Sequence, residues 1–427
     1  MKSKSILYFL TFLGLMACSP RPEVQMVKLI KDRYANLYVN NEKQKREALE
    51  GLRNYLHDHE LNDSNLDDFR SRLNQINDGH LVLFDNRKEN NIRYESGVVF
   101  VPGTNYIEKC DNCLPVLPKD KYQILEVNNL SLNYYLEKEK NSVAASTPWG
   151  REFRLIRLLK EKSNKSETTL KLKSSSGKVV TSKLNWRLFS DKAPLCVSGE
   201  RLKNDFFKLN IYNLWCEDKT VGTSTREQIF DNFKIQFDKA MSKALENDKI
   251  VIDLRENGGG GDFEVEYILN AFLKKSVILY HNKYLRKNTP GIRKWLEIFW
   301  PLKLSLWAPD EYEYTNLSRR PKKTFFNNNV ITLVSAGCFS SCETIASILK
   351  LEKHSLLLGS RTHGGSGDPV IYPIKGTPFS LNIPSCINWQ SDGNFYEGTG
   401  VLPDREVLQS AIIKSDNVLT SAIDLAQ

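Results

Sequence analysis

Beyond its first twenty residues, the sequence lacks an apolar run of the roughly 20 residues that a membrane-spanning helix needs. It also lacks internal repeats and low-complexity tracts, which argues against a repeat architecture or a largely disordered chain. Hydrophobic residues make up 41% and charged residues 26% of the 427 positions, as in an ordinary soluble globular protein. At this length we expect two or three folded domains.

The sequence carries no clear signal for nucleic acid or nucleotide binding. The net charge of +9 is spread along the chain, and the basic cluster at residues 319–323 is short enough to be a solvated loop. A four-glycine loop at 258–261 lacks both the GxGxxG pattern and the Lys-Ser/Thr pair of nucleotide sites, and has Asp262 and Phe263 instead. Its backbone amides suit a transient oxyanion better than a phosphate. We therefore expect no nucleic-acid partner.

The N-terminus has the pattern of a bacterial lipoprotein signal. Two lysines precede an apolar run at residues 6–15, and the run ends in Leu-Met-Ala-Cys at 15–18, which is similar to a lipobox. The alternative is an ordinary signal peptide with an incidental Cys18. The lipobox interpretation predicts that residues 1–17 are removed and that acyl chains on Cys18 anchor the protein at a membrane of the cell envelope.

Export would permit disulfides among the remaining cysteines. An odd number is left after Cys18, so at least one stays unpaired within the chain. Cys110 and Cys113 suggest a local disulfide or a plain loop, because no second pair at zinc spacing follows. Cys196 and Cys216 are a plausible bridge. The other three are Cys338, Cys342 and Cys386.

The rest of the chain divides into three regions with different sequence patterns. Residues 18–92 have helical spacing with charged faces, and residues 93–192 have short strand-like runs separated by turn residues. From 200 to 427 strands alternate with helices, which predicts an α/β core. A tryptophan-rich stretch at 295–307 interrupts this pattern, either as a buried lid or as a surface for apolar side chains or a membrane.

The stretch "GCFSSCETIA", residues 337–346, lies between a strand-like run and a helix-like run. Ser340 and Glu343 fit the S-x-x-E capping box, so Ser340 could simply cap the helix. A strand-turn-helix is also where hydrolases place a nucleophile, because the helix N-terminus offers free N–H groups to an oxyanion. Both interpretations stay open on this stretch alone.

A nucleophilic serine needs a base and benefits from a carboxylate that orients it. His80 lies in "NQINDGHLVLF" at a predicted turn between a helix and a strand, and His363 in a glycine-rich loop is the reserve candidate. Glu397 lies beside a glycine turn and is the candidate carboxylate. The remaining histidines are His57, His59, His281 and His354.

The order of five motifs resembles the tail-specific (C-terminal processing) serine peptidases. The motifs are "DGHLVL", "IDLRENGGG", "LVSAGCFSSCETIASILK", "GSRTHGG" and "EGTGVLPD". The resemblance implies a crotonase-like α/β core of ββα units at 200–427, joined to a PDZ-like module that would correspond to residues 93–192. It covers most of residues 200–410 and reaches back to about residue 70.

One departure selects a branch of this family. The tail-specific branch has a lysine base where this chain has Gly365, whereas the branch that includes the tricorn core protease uses a histidine and a glutamate at the positions of His80 and Glu397. By the resemblance, Ser340 is the nucleophile. The amides of Ser341 and of a glycine of the loop at 258–260, with Gly259 as the candidate, would form the oxyanion hole.

The sequence therefore predicts an exported, lipid-anchored serine endopeptidase that acts on protein or peptide substrates. Neither a metal nor an organic cofactor is required for this chemistry. Two alternatives remain at this point: a catalytically silent protein of the same fold that binds peptide or lipid, and a structural envelope lipoprotein in which Ser340 only caps its helix.

Overall fold

The architecture is taken from a computed structural model. It describes residues 21–39, 42–87, 94–162, 167–188, 195–203, 205–218, 224–285, 312–315, 321, 324–325, 329–408 and 416–426. The predicted signal peptide with Cys18 and the tryptophan-rich stretch at 295–307 lie outside these residues. No helix in the described ranges is both long and apolar enough to cross a membrane.

The N-terminal part consists of helices that end in a short strand. Its elements are α1 (Pro22–Arg33), a 3-10 helix (Ala35–Tyr38), α2 (Glu42–Asp58), α3 (Leu66–Asn74) and β1 (Val82–Asp85). Helix α2 buries Leu49, Leu52 and Leu56, whose spacing places them on one face of the helix. This face belongs to an apolar cluster that also contains Leu381 and Ile383 from far along the chain. The N-terminal helices are therefore packed onto a distant hairpin.

The middle of the chain forms two antiparallel sheets, a main one and a small one of order β11-β2-β8, with short helices. Its strands are β2 (Tyr94–Glu95), β3 (Val98–Phe100), β4 (Tyr106–Cys110), β5 (Cys113–Leu114), β6 (Tyr122–Val127), β7 (Leu130–Ser131), β8 (Glu161–Lys162), β9 (Thr169–Ser174), β10 (Val179–Leu184) and β11 (Arg187–Leu188). Its helices are α4 (Leu132–Lys138) and α5 (Pro148–Arg157). The main sheet runs β3-β4-β6-β9-β10-β5, with β7 paired to β6.

The remainder is the α/β core with two small sheets. Its strands are β12 (Val197–Arg201), β13 (Phe206–Ile211), β14 (Lys249–Asp253), β15 (Ile278–Tyr284), β16 (Tyr312–Thr315), β17 (Val330–Val334), β18 (Ser355–Gly359), β19 (Pro369–Pro373), β20 (Phe379–Pro384), β21 (Cys386–Trp389) and β22 (Arg405–Glu406). Its helices are α6 (Arg226–Met241), α7 (Asp262–Phe272), α8 (Ser341–Leu351) and α9 (Asn417–Ala426).

The core sheet sets the position of the candidate site. Its order is β12-β13-β14-β17-β18-β22, and every pairing from β13 onward is parallel. Strands β13 and β17 are buried at every position, as expected for parallel strands that are covered on both faces. The glycine loop follows the carboxyl end of β14, the Ser340 turn follows that of β17, and the loop at 360–367 follows that of β18. Such ends form a crevice that open α/β sheets use for ligands.

Strand β1 connects the N-terminal part to the core. It pairs antiparallel with β20, with Leu83 opposite Leu381, in a small sheet of order β1-β20-β19. Because His80 lies just before β1, this pairing brings the N-terminal part to the edge of the crevice.

Three disulfides are present among the described cysteines. They join Cys110 to Cys113, Cys196 to Cys216 and Cys338 to Cys342. The local bridge and the bridge at 196–216 are those considered from the sequence. Cys386 is a free buried thiol, consistent with an odd number of cysteines.

Candidate active site

Ser340 lies on a sharp turn between β17 and α8. Its backbone angles are φ 58° and ψ −129°, in the left-handed half of conformational space that non-glycine residues rarely adopt. Such a conformation costs on the order of 1–3 kcal/mol and persists only where its surroundings enforce it. Here the disulfide between Cys338 and Cys342 brackets the serine, and the Phe339 amide donates to the Asn257 carbonyl at 3.1 Å.

Glu343 ties this turn to the loop that follows β18. Its carboxylate accepts hydrogen bonds from the Ser340 amide at 3.1 Å, the Thr362 hydroxyl at 2.5 Å, and the amides of Gly364 and Gly365 at 2.7 and 2.8 Å. Burial raises the pKa of Glu343 to about 7, although all four donors act to lower it. The glutamate of the predicted capping box therefore also holds the neighbouring loop in place.

The structure brings His80 and Ser340 together across 260 positions of sequence. The Nε2 atom of His80 lies 3.0 Å from the Ser340 hydroxyl, and the imidazole stacks on the Phe339 ring at 4.3 Å between centroids. Burial lowers the pKa of His80 to about 4, with a smaller lowering from Arg154 and an opposing effect of the Asp78 charge. The histidine is thus neutral at pH 7, as a general base must be.

Glu397 is close to this pair but does not bond to His80 directly in the described structure. Its carboxyl oxygen accepts from the Ser366 amide at 2.6 Å and from the Ser366 hydroxyl at 3.2 Å. The Nδ1 atom of His80 makes no hydrogen bond of good geometry, yet the Ser366 carbonyl faces the ring closely enough to raise the pKa of His80. Burial, followed by the Asp78 charge, raises the pKa of Glu397 well above its usual value. Glu397 is therefore connected to His80 through Ser366.

Asp78 is a buried carboxylate that the sequence interpretation missed. It accepts hydrogen bonds from the Tyr34 hydroxyl at 2.9 Å, the Asn36 amide group at 3.0 Å and the backbone amide of His80 at 2.8 Å. These donors fix the backbone that carries the imidazole. The only signal in the sequence was an acidic residue two positions before the candidate base.

The reserve histidine, His363, does not reach Ser340 in this structure. Its Nδ1 atom lies 3.1 Å from the Ala336 carbonyl oxygen, and its ring meets the edge of Phe339, which separates it from His80. Burial holds its pKa well below the usual value. His363 is a core side chain, whereas His57 and His59 are exposed at the end of α2.

The glycine loop approaches Ser340 closely. A side chain at Gly259, which has φ 93°, would place its Cβ atom 2.8 Å from the Ser340 Cβ atom. In this structure the Gly259 amide donates to the Asn257 side-chain oxygen at 2.8 Å, and the Ser341 hydroxyl donates to the Gly260 carbonyl at 2.8 Å. The assignment of Gly259 and Ser341 as oxyanion donors stays a prediction.

A cavity of about 560 Å³ opens beside the serine. Its lining includes the pair and the adjoining loops, as well as aromatic side chains such as Trp215, Phe263 and Tyr396. The volume lies within the range of about 300–1,000 Å³ that is typical of ligand sites. Within the described ranges, no cluster of His, Cys, Asp or Glu suits a metal ion.

Comparison with known proteins agrees with this fold. Residues 225–407 match the family model of peptidase family S41. A crystal structure of mature CPAF superposes with a TM-score of 0.65 at 13% identity, over 94% of each chain. A putative S41 protease from Bacteroides fragilis NCTC 9343 gives a TM-score of 0.51 at 14% identity, over 96% of this chain and 98% of that one. A structure of mature CPAF complexed with lactacystin gives 0.62 at 14% identity, over 95% and 96%.

The segment at 225–407 therefore has the sequence of an S41 peptidase. The predicted α/β fold class and the predicted peptidase class are confirmed. A peptidase acts on protein or peptide substrates.

Proposed function

We propose that the protein is a serine endopeptidase in which Ser340 is the nucleophile and His80 the general base. The observation that carries the proposal is the 3.0 Å separation between His80 Nε2 and the Ser340 hydroxyl, on a turn strained as nucleophile turns are. A neutral, buried imidazole in this position can accept the hydroxyl proton at neutral pH.

The reaction proceeds in two acyl-transfer steps. The Ser340 oxygen attacks the carbonyl carbon of the scissile peptide bond while His80 Nε2 takes the hydroxyl proton. Backbone amides of Ser341 and of the glycine loop hold the oxyanion of the tetrahedral intermediate. His80 then gives the proton to the leaving amine as the C–N bond breaks. Water next attacks the acyl-enzyme while His80 takes one of its protons, and His80 returns that proton to the Ser340 oxygen as the ester bond breaks.

Glu397 is the third member of the arrangement and acts through Ser366. The two hydrogen bonds to Glu397 hold Ser366 in place, so that the carbonyl oxygen of Ser366 faces the imidazole. The imidazolium that forms during attack gains a nearby acceptor, and the Asp78 charge stabilises it further. Glu397 is a positioning residue in this scheme because it does not contact the reacting atoms.

We also propose that the enzyme works in the cell envelope, anchored by lipid on Cys18, where exported and envelope proteins would be its substrates. The lipobox-like residues 15–18 motivate this proposal. Metabolic labelling with a fatty-acid analogue should mark the wild-type chain but not Cys18→Ala. A wild-type chain that takes up no label would contradict the anchor.

The test of the catalytic proposal is labelling of the full-length protein by a fluorophosphonate probe. We expect labelling of the wild type and none of Ser340→Ala or His80→Ala, with unchanged melting temperatures. Lactacystin, which was captured with mature CPAF, should compete with the probe if the two sites share their chemistry. A folded wild-type protein that stays unlabelled before and after reduction of its disulfides would instead favour the catalytically silent, peptide-binding alternative.

A further inference from the structure

Two carboxylates line the cavity beside Ser340 and have no role in the scheme above. Asp262 is the first residue of α7, directly after the glycine loop, and Asp368 immediately precedes β19. They belong to separate loops that follow different strands of the core sheet. Burial raises the pKa of Asp262 to about 6, which leaves it mostly ionised at pH 7, and the Asp368 charge acts in the same direction, so both carboxylates act on one region of the cavity.

Among the described lining residues, one permanent positive charge faces these carboxylates, and it is already neutralised. The Arg226 guanidinium donates to both carboxylate oxygens of Glu264, at 2.7 Å for the Nη1 bond, and the Glu264 side chain is fully buried. His80 is neutral at pH 7. With Arg226 and Glu264 cancelling, the described walls of the cavity carry the negative charges of Asp262 and Asp368.

Local structural roles do not explain this charge. An acidic residue in the first turn of a helix interacts favourably with the helix dipole, which accounts for Asp262 alone. Asp368 is at no helix terminus, is exposed at the cavity, and accepts from the Tyr284 hydroxyl at 3.0 Å. The hydroxyl partner of Asp262 is Tyr280. Both partners are neutral donors, so they satisfy hydrogen bonds without cancelling the charge.

The walls around the carboxylates suit a long side chain with a cationic end. Trp215, Phe263, Tyr280 and Tyr396 line the same cavity as the catalytic pair. Aromatic faces of this kind pack against the methylene stem of a lysine or arginine and attract its charged group. The cavity can therefore take the cationic side chain of a peptide whose backbone lies at Ser340.

We propose that this cavity selects substrates with a lysine or arginine side chain next to the bond that Ser340 attacks, through Asp368 and Asp262. The proposal deepens the proposed function and rests on it. A second source of the same chemistry is the free α-ammonium group of a short peptide. Peptides with free and with acetylated N-termini distinguish the two sources.

The first test compares matched fluorogenic peptides on the full-length enzyme. Each pair carries either arginine or its uncharged isostere citrulline next to the scissile bond. We expect kcat/KM to be at least tenfold higher for arginine, and the preference to fall to within about threefold in Asp368→Asn. Asp231→Asn, which removes an exposed carboxylate of α6 that is not among the lining residues, should keep the wild-type preference. A preference that follows the free N-terminus, and not the side chain, would overturn the proposal.

A second test does not require turnover. Benzamidine, a small aromatic cation, should bind to the Ser340→Ala protein in a calorimetric titration, and adding Asp368→Asn should weaken that binding at least tenfold. Cleavage of arginine and citrulline peptides at equal rates, with Ser340 still labelled by the fluorophosphonate, would overturn this inference and leave the proposed function intact. A wild-type protein that shows no labelling at all would overturn the proposed function, and this inference with it.

Discussion

The proposed nucleophile, Ser340, and the proposed base, His80, come from two regions that are fixed in different ways. The Ser340 turn follows a fully buried parallel strand. It is held by the disulfide between Cys338 and Cys342, which are four positions apart, and by the Glu343 carboxylate. The His80 turn has no covalent constraint. It is held through Asp78, which takes hydrogen bonds from Tyr34, 44 positions earlier, and from Asn36.

The contrast shows that one half of the site is locally determined and the other half is assembled by long-range packing. Helices α1 to α3 share an apolar cluster with strands β1 and β20, so the position of His80 depends on the whole N-terminal part being docked. We therefore expect changes in the two regions to affect catalysis differently.

The largest effect should come from removing either member of the pair itself. Ser340→Ala and His80→Ala should each lower kcat by roughly 10⁴- to 10⁶-fold, because nucleophile and base act as one unit. The double variant should be no slower than the worse single variant, which separates joint action from two independent contributions. Peptide hydrolysis measured together with thermal melts provides the check. Additive losses in the double variant would contradict the direct contact between them.

The next effect tests the covalent constraint on the Ser340 turn. The double variant Cys338→Ala/Cys342→Ala should lower kcat by roughly 10- to 100-fold with little change in KM, since a displacement of about 1 Å at a reacting group costs this much. The hydrogen bonds of Glu343 remain and should prevent a complete loss.

The control is the other short-range disulfide. The double variant Cys110→Ala/Cys113→Ala removes a bridge in the β-rich part of the chain. Its two cysteines are three positions apart and are as fully buried as those of the bridge at Ser340. The kcat of this variant should match the wild type. An equal loss of activity in the two double variants would show that the bridge at Ser340 contributes only to general stability.

The locally determined half was also the half that the sequence could predict. The run at 330–334, the S-x-x-E pattern and the helix after it describe β17, Ser340 and α8 almost residue by residue. Strand, turn and cap are set by neighbours in sequence, so a pattern a few residues long contains the necessary information.

The rest depends on contacts that no local pattern encodes. The family resemblance placed His80 and Glu397 in the site, but it gave no indication that Ser366 would lie between them or that Asp78 would be buried with Tyr34 and Asn36. The acidic lining of the cavity likewise arises where loops after different strands converge. Such convergence depends on strand order, which spacing along one sequence does not determine.

A smaller effect should come from the polar support of the base. Asp78 opposes the burial that lowers the pKa of His80 to about 4, so Asp78→Asn should lower that pKa further. Because the base is active when neutral, kcat/KM of the wild type should fall on acidification only near pH 4, well below the ordinary histidine pKa of 6.5. This fall is the acid limb of the rate profile. In Asp78→Asn that acid limb should move to still lower pH. The plateau rate should also fall, on the order of tenfold, because the imidazolium that forms during attack loses a stabilising charge. Rate profiles from pH 3.5 to 8 test this expectation. An acid limb that moves upward would contradict the assigned role of the Asp78 charge.

The smallest effect should come from changing the charge but not the shape of Glu397. Burial raises the pKa of Glu397 well above its usual value, and its described contact with the loop at 360–367 is made through Ser366. Glu397→Gln keeps an oxygen that can accept from the Ser366 amide and should retain kcat within about tenfold, whereas Glu397→Ala removes the acceptor and should lose more. The ratio of kcat between the Gln and Ala variants is therefore the informative number. A Gln variant as slow as the Ala variant would show that catalysis needs the Glu397 charge itself, and that His80 depends on a carboxylate in both its local turn and the distant loop.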